Sequence, residues 1–301
     1  MLAFYVALVS QTSQISLGQL SVAASALQKQ VNRDFSRYWG ITATVSAFEK
    51  LSHAPLDYWK IIIRDDIQVD GAAGIHLNRN NGQPYALVQY SSEWSLTLSH
   101  ELLEMLADPQ GNRVVAGDSV KAGQGRVQYL VEVCDPSERA QFGYSVNGVL
   151  VSDFYTPAFF DPVFSPSARY SFTGCIKKPR QVLNGGYLSW LHPPTRHLWQ
   201  LFVVNGKQVF KDRGPLPNGF ASLRSVSDAF ASSEPGRKTR GKADKSLLLF
   251  ASSRAGDELE TAYDAEADGL QEQITAVLAG DPDGAGQITR PSTRRGRSRG
   301  T

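Results

Sequence analysis

Apolar residues in the first 108 positions alternate between the periodicities of strands and helices, and this alternation constrains the fold more than any other feature. The order is strand, helix, three or four strands and a second helix, which predicts an α+β layer of helices packed on a mixed sheet. The predicted strands cover residues 2–9, 41–48, 58–63 and 74–90, the last range holding two strands, and the predicted helices cover residues 16–39 and 93–107. Gly40 ends the first helix and Asp108-Pro109 ends the second.

The chain divides by composition into three parts. We predict a first domain over residues 1–156, which closes with strands at residues 129–134 and 142–154. Residues 157–217 are rich in proline, glycine and aromatic side chains, which predicts a small β-rich subdomain with strands at residues 170–175, 186–191 and 197–210. Residues 218–301 carry blocks of like charge, which predicts a flexible, mostly disordered tail with one helix at residues 257–278.

Charge and cysteine usage exclude several classes of protein. The 301 residues include 31 Lys and Arg against 29 Asp and Glu, so the net charge of +2 provides no global attraction to nucleic acids or membranes. Cys134 and Cys175 cannot build a disulfide-rich scaffold or a cysteine zinc cluster. The apolar run at residues 2–9 is too short to cross a bilayer and follows no basic residue, so we predict a cytoplasmic protein, with noncanonical secretion left open.

The strongest chemical signal is the segment His100-Glu101-Leu102-Leu103-Glu104 on the second predicted helix. Positions i and i+4 of a helix point the same way, about 6 Å apart, so the side chains of His100 and Glu104 can converge on one metal ion. Glu101 lies about 100° further round the helix, where its carboxylate can take a proton from a metal-bound water instead of binding the metal. A zinc ion with three protein ligands lowers the pKa of its bound water to about 7.

This segment resembles the active-site helix of the zincin metallopeptidases, in an HExxE variant of their HExxH signature in which Glu104 replaces the second histidine. The resemblance covers the helix and, more loosely, the order of strands and helices between residues 2 and 108. It implies a zincin-like mixed sheet, a zinc peptidase activity with Glu101 as general base, and a peptide or protein substrate. It also implies that the last strand before the helix, at residues 85–90, lines the cleft and pairs with an extended substrate.

A third metal ligand must come from a later element, because Asp108 lies about 12 Å further along the helix axis than His100. Zincins whose third ligand is a carboxylate draw it from such an element, and here residues 131–136 offer Glu132 and Asp135. We favour Glu132, and Asp135 is the alternative because the turn at Asp135-Pro136 can aim it back toward the helix. A carboxylate in place of an imidazole suits harder cations better, so zinc is the first choice of cofactor and another divalent cation is the alternative.

Three other residues could contribute to the site. Tyr144 or Tyr155 could hydrogen-bond a tetrahedral intermediate, and the sequence does not rank them. His76 lies on a predicted strand and could approach the helix, but we interpret it as a structural or exposed histidine. The only methionines are Met1 and Met105, which excludes the zincin subgroup that has a methionine turn after the helix.

Two alternatives to a peptidase stay open. The first is a noncatalytic α+β protein-binding module with a structural metal or none, in which Glu104 and Asp135 serve packing or hold a structural cation and the function lies in protein contacts. The second is association with nucleic acid through the arginines near the end of the chain, which the neighbouring acidic residues and the lack of aromatic side chains there make unfavourable. The same basic tail could contact an acidic partner.

Overall fold

The computed structural model describes residues 2–69, 72–79, 81–220 and 222–232. These residues form a mixed sheet, an antiparallel sheet, a two-stranded hairpin and several helices, so the predicted α+β class is confirmed. Within these ranges, no helix is both long and apolar enough to cross a bilayer. The helix predicted at residues 257–278 lies outside the described residues.

The first sheet has the strand order β2-β1-β3-β5-β4. Its strands are β1 (Leu2–Ser10), β2 (Ile41–Phe48), β3 (Trp59–Arg64), β4 (Gly74–Asn78) and β5 (Pro84–Gln89). Four of them run parallel, and β4 is antiparallel to β5. Ile61, Ile62 and Ile63 of β3 are all fully buried, as expected for a parallel strand covered on both faces.

The position of β5 corrects one expectation from the sequence. Because β3 and β4 hydrogen-bond to its two sides, β5 has no open edge with which to pair with a substrate. Strand β4 lies at this edge of the sheet and forms a hairpin with β5, and β2 lies at the opposite edge.

A long helical segment connects β1 to β2. It consists of α1 (Leu17–Lys29), a π-helical stretch (Gln30–Phe35) and α2 (Ser36–Trp39), in agreement with the predicted helix. The hydroxyl of Ser16 accepts a hydrogen bond from the backbone N–H of Gln19, whose side chain accepts one in return, which caps the first turn. Gly40 ends the segment with φ of +68°, a conformation that residues with a side chain rarely adopt.

The second long helix, α3 (Trp94–Ala107), follows β5 and is fixed by a buried hydrogen-bond network. The hydroxyl of Ser99 donates to Oε1 of Gln30 at 2.8 Å and accepts from the backbone N–H of Ser152 at 2.9 Å. The amide of Gln30 donates to the carbonyl of Ser152 at 3.0 Å. Because Ser99 directly precedes His100, this network sets the rotation of α3 about its axis.

The second sheet is antiparallel and consists of β6 (Val114–Asp118), β7 (Arg126–Leu130), β10 (Tyr187–His192), β11 (His197–Val204) and β12 (Lys207–Pro215). Its strand order is β12-β11-β10-β7-β6. A separate hairpin, β8 (Tyr144–Val146) and β9 (Val149–Val151), lies between β7 and β10 in the chain. Since β7 and β10 pair with each other, the boundary predicted at residue 157 does not separate two sheets.

Three strand predictions in this region need correction. A strand was predicted over residues 129–134, but β7 ends at Leu130, so Glu132 lies beyond the strand. Residues 197–210 form most of a hairpin of two strands, because Asn205 and Gly206 adopt the positive φ values of a tight turn. Residues 170–175 contain only a single bridge, between Tyr155 and Ser171.

Helix α4 (Leu223–Ser232) lies in the range predicted to be a disordered tail, and this prediction is wrong for residues 222–232. The side chain of Val226 is buried together with those of Leu130 and Leu198. The backbone N–H of Arg224 donates to the carbonyl of Gly111 at 2.9 Å. Helix α4 is therefore part of the folded body.

Candidate metal centre

The predicted convergence of His100 and Glu104 is observed on α3. Nε2 of His100 lies 3.3 Å from Oε2 of Glu104, one helical turn further along. The Glu104 side chain is fully buried, whereas 14% of the His100 side chain is exposed. The i,i+4 spacing thus brings one imidazole nitrogen and one carboxylate oxygen to the same point.

Asp135 is the second carboxylate that contacts His100. Its Oδ1 lies 3.1 Å from Nε2 of His100, and its side chain is 1% exposed. Asp135 begins a short 3₁₀ turn, Asp135–Ser137, in which Ser137 N–H donates to the carbonyl of Cys134. This is the turn that the sequence predicted could aim Asp135 back toward the helix.

The chain before Asp135 is held in place by backbone hydrogen bonds. The N–H of Cys134 donates to Oε1 of Glu104 at 3.0 Å, which joins this segment directly to α3. The N–H of Tyr155 donates to the carbonyl of Val133 at 2.8 Å. Asp135 is therefore positioned by the backbone and does not depend on its own side chain for its place.

Glu132, the favoured third ligand, is buried beside Asp135. Neither carboxylate oxygen of Glu132 has a hydrogen bond of regular geometry among the described residues, and side-chain interactions with Ser189 and Asp135 act on its pKa in opposite directions. Burial, together with the charges of Asp135 and Asp228, raises the pKa of Glu132 well above its ordinary value. Asp135, the alternative third ligand, is the carboxylate that contacts His100. The role of Glu132 as a metal ligand stays a prediction.

The two tyrosines that the sequence could not rank occupy different places. Tyr144 donates a hydrogen bond to Oδ2 of Asp34 at 2.9 Å. The hydroxyl of Tyr155 is buried without a hydrogen-bond partner in the described part of the chain. Burial and the charges of Glu132 and Asp135 raise the pKa of Tyr155 well above its ordinary value, which places Tyr155 beside the acidic cluster.

Glu101 belongs to α3, and its side chain packs against the edge strand β4. Its Oε2 is 3.5 Å from Nδ1 of His76, and both side chains are buried. Burial raises the pKa of Glu101 to about 7, with His100 and Arg224 opposing the rise and Asp228 and Asp135 adding to it. A carboxyl with such a pKa can accept or donate a proton near neutral pH.

His76 was interpreted from the sequence as structural or exposed, and it is in fact buried in the site. Both of its ring nitrogens lack a hydrogen-bond partner among the residues that the structure describes. Burial, with the charges of Arg224 and His100, lowers the pKa of His76 well below its ordinary value. The neutral imidazole that results is the form that binds metals.

Arg224 and Asp228 of α4 also belong to this cluster, and neither was predicted from the sequence. The guanidinium of Arg224 forms an ion pair with Oε2 of Glu104, and its Nε lies 3.3 Å from Oδ2 of Asp228. Arg224 is 3% exposed. The helical spacing of Leu223, Val226 and Phe230 was the signal that could have identified this segment as a packed helix.

Carboxyl groups are numerous at this site. Burial favours neutral or paired groups, and here the guanidinium of Arg224 pairs with Glu104 and Asp228. The carboxyl groups that influence one another here are those of Glu101, Glu104, Glu132, Asp135 and Asp228. Burial lowers the pKa of His100, but Asp135 and Glu101 raise it above its ordinary value overall.

Two groups of three side chains have the spacing needed to hold a cation. The ligand atoms of His100, Glu104 and Cys134 lie within 4.8 Å of one another, and so do those of His76, Glu101 and Glu104. Burial raises the pKa of Cys134 well above its ordinary value, so Cys134 is a neutral thiol and not a thiolate. The nitrogen and oxygen donors are therefore the better ligands.

Comparisons of this chain with protein-family models, with curated proteins and with solved structures gave no match. The resemblance to zincins therefore stays a prediction that rests on the residues of the site.

Proposed function

We propose that this chain is a metal-dependent hydrolase whose cation is held by His100, Glu104 and Asp135. The observation that carries the proposal is that Nε2 of His100 lies 3.3 Å from Oε2 of Glu104 and 3.1 Å from Oδ1 of Asp135. Asp135 joins through His100 alone, since it belongs to neither of the two groups whose ligand atoms all lie within 4.8 Å of one another. One imidazole and two carboxylates form a donor set that zinc accepts in proteins, and manganese or calcium tolerates the carboxylates as well. Zinc is the first choice.

Unpartnered polar atoms support a bound cation at this place. Glu132, the second oxygen of Asp135 and the hydroxyl of Tyr155 are buried without hydrogen bonds of regular geometry to the described residues. Such groups are costly to bury unless a ligand, an ion or water satisfies them. A divalent cation would also offset the excess of carboxylates around Glu104.

Glu101 is the proposed general base. It follows His100 directly, and its Oε2 is buried and faces His76 instead of joining the three proposed ligands. When bound, a zinc ion would polarise a substrate carbonyl and lower the pKa of an attacking water. The carboxylate of Glu101 would take the proton from that water and pass it to the leaving amine.

A peptide is the proposed substrate, because an edge strand lies next to the general base. Strand β4 begins at Gly74, where a Cβ would lie 2.5 Å from Oε1 of Glu101, so the backbone of β4 runs directly past this carboxylate. Edge strands offer unpaired backbone N–H and C=O groups to an extended peptide. The resemblance to zincin peptidases, resting on residues 100–104, favours the same substrate class.

A noncatalytic binding module is the second candidate, and the ion pair between Arg224 and Glu104 favours it. Here the guanidinium would supply the positive charge of the site permanently, so that no metal is needed. The fold and the cluster would then serve stability, and the function would lie in protein contacts.

Metal analysis of purified variants, followed by a peptidase assay, separates the two candidates. We expect about one zinc per chain in the native protein and in Glu101→Gln after equilibration with zinc and dialysis, and a loss of at least tenfold in affinity in His100→Ala. His197→Ala is the matched control, since His197 lies 3.0 Å from Asp212 on the second sheet. Hydrolysis of a fluorogenic peptide mixture should fall by about 10² to 10⁴ in Glu101→Gln.

Two results would reject the hydrolase. One is equal zinc binding by His100→Ala and His197→Ala. The other is an unchanged rate of peptide hydrolysis in Glu101→Gln. A native chain that binds no divalent cation at all would favour the binding module.

A further inference from the structure

Two nitrogen-bearing side chains lie next to Oε2 of Glu104. It lies 3.3 Å from Nε2 of His100, and it is also the oxygen that pairs with the guanidinium of Arg224. The other oxygen of Glu104 accepts the backbone N–H of Cys134 at 3.0 Å. A cation held jointly by His100 and Glu104 would therefore use the same oxygen that Arg224 uses.

We propose that Arg224 and a divalent cation compete for this oxygen of Glu104, so that helix α4 is a built-in antagonist of metal binding. The inference rests on the function proposed above. In the metal-free protein, α4 is docked and Arg224 neutralises Glu104. In the metal-loaded protein, Arg224 leaves Glu104 and the docking of α4 weakens.

Both charge and geometry make the two states exclusive. A guanidinium and a divalent cation that share one oxygen repel each other strongly in a buried site, where the effective dielectric constant is low. Arg224 has another partner within reach, because Asp228 lies one helical turn further along α4 and 3.3 Å from its Nε. The guanidinium can therefore turn away from Glu104 without being left as an unpaired charge.

The contacts that hold α4 allow it to open without unfolding a sheet. At its start, the backbone N–H groups of Leu223 and Arg224 donate to Oδ1 of Asn112 and to the carbonyl of Gly111. Further along, the hydroxyl of Ser227 is hydrogen-bonded to that of Ser189, and the amide of Gln200 on the second sheet donates to the hydroxyl and the backbone carbonyl of Ser227. A short helix held by few buried apolar contacts belongs to the part of a protein that opens most easily.

The first test measures zinc affinity by competition with a chromogenic chelator. Arg224→Met removes the guanidinium and keeps an unbranched side chain, and we expect it to bind zinc at least tenfold more tightly than the native chain. Arg213→Met is the matched control, because Arg213 contacts Phe230 of α4 and Gln200 but belongs to β12. We expect its zinc affinity to stay within twofold of the native value.

The second test uses linkage between zinc and α4. If docking of Arg224 weakens zinc binding, zinc must weaken docking of Arg224 by the same factor. Saturating zinc should therefore accelerate amide hydrogen exchange in α4 of the native protein, measured by mass spectrometry on the peptide that contains residues 223–232. In Arg224→Met, the same peptide should exchange equally fast with and without zinc.

The outcomes distinguish a failure of this inference from a failure of the proposed function. Equal zinc affinities in the native chain and Arg224→Met, with unchanged exchange in α4, would overturn the competition while leaving the metal site intact. An equal gain in Arg224→Met and Arg213→Met would also overturn it, since loosening of α4 would then be the cause. If neither the native chain nor Arg224→Met binds zinc more tightly than His100→Ala, both proposals are wrong.

Discussion

Glu104 on α3 and Arg224 on α4 form an ion pair between buried side chains that are 120 residues apart in the chain. Through this pair, the last described helix is linked to the helix that carries the proposed metal ligands. Neither residue is exposed by more than 3%, so water screens the interaction little.

Loss of either member of this pair should destabilise the metal-free protein. Breaking a buried ion pair by removing one partner costs about 3–5 kcal/mol, because the other charge is left uncompensated. We expect Glu104→Gln and Arg224→Met each to lower the free energy of unfolding by about 3 kcal/mol. Urea unfolding in the presence of a chelator measures this, and the double variant should lose clearly less than the sum of the two single variants. Strict additivity would show that the two charges do not interact.

Gly74 should not tolerate a side chain. A Cβ at this position would lie 2.5 Å from Oε1 of Glu101 and 2.8 Å from Cγ2 of Thr97, so α3 and β4 would have to move apart. Overpacking of this kind costs about 1–3 kcal/mol, and we expect Gly74→Ala to show it in thermal and urea unfolding. Gly117→Ala in β6 is the control, since its Cβ would meet the ring of Tyr129 at an ordinary 3.4 Å. Equal stabilities of the two variants would contradict the close packing of β4 on Glu101.

Ser99 should contribute more to stability than Ser95 of the same helix. The hydroxyl of Ser99 is buried, donates to Gln30 and accepts from Ser152, whereas that of Ser95 donates only to the carbonyl of Leu150 at 2.9 Å. Each buried polar group left without its partner costs about 1–3 kcal/mol. Ser99→Ala should therefore lose at least about 1 kcal/mol more than Ser95→Ala in urea unfolding. A larger loss in Ser95→Ala would rule out the network as the anchor of α3.

Tyr129 should make the protein less stable at alkaline pH. Its hydroxyl accepts from the N–H of Val120 and donates to the carbonyl of Asp118, both at 2.8 Å, and burial raises the pKa of Tyr129 to about 12. A tyrosine in the unfolded chain loses its proton near pH 10. The unfolded state therefore holds fewer protons between about pH 10 and 12, so stability is complete below pH 10 and falls by up to about 1.4 kcal/mol per pH unit as pH rises through this window.

The Tyr129→Phe variant isolates this effect, because phenylalanine does not titrate. The difference in free energy of unfolding between the native chain and Tyr129→Phe should shrink from pH 9 to pH 11.5, as measured by urea unfolding at each pH. Parallel curves for the two proteins would show that Tyr129 does not carry the alkaline dependence.

Much of the first sheet could be predicted from the sequence because its signals are local. The alternation of apolar and polar residues at 41–48 and the helical spacing of apolar residues at 16–39 each involve side chains that are close together in the chain. Both elements occur where they were predicted. Strand order is a different matter. No short-range sequence pattern shows that β4 takes the edge position and β5 the position next to β3, because the two strands have similar side chains.

Helix α4 was not predicted because residues 218–301 were interpreted as one segment from their blocks of like charge. Helix α4 is short and follows a stretch rich in proline and glycine, so its three apolar side chains were outweighed by the charged blocks after it. Its burial depends on Leu130 and Leu198, which lie on strands far away in the chain.

The sequence by itself determined that His100 and Glu104 meet, because the pitch of a helix places residues four apart on the same side. It also limited the candidates for a third metal ligand later in the chain to the carboxylates of Glu132 and Asp135. Only the tertiary structure decided that Asp135 contacts His100, that His76 faces Glu101, and that Arg224 pairs with Glu104. Those three contacts join residues at least 25 positions apart in the chain. Contacts of this kind depend on how whole helices and strands pack, and the spacing of neighbouring residues in the sequence does not reveal them.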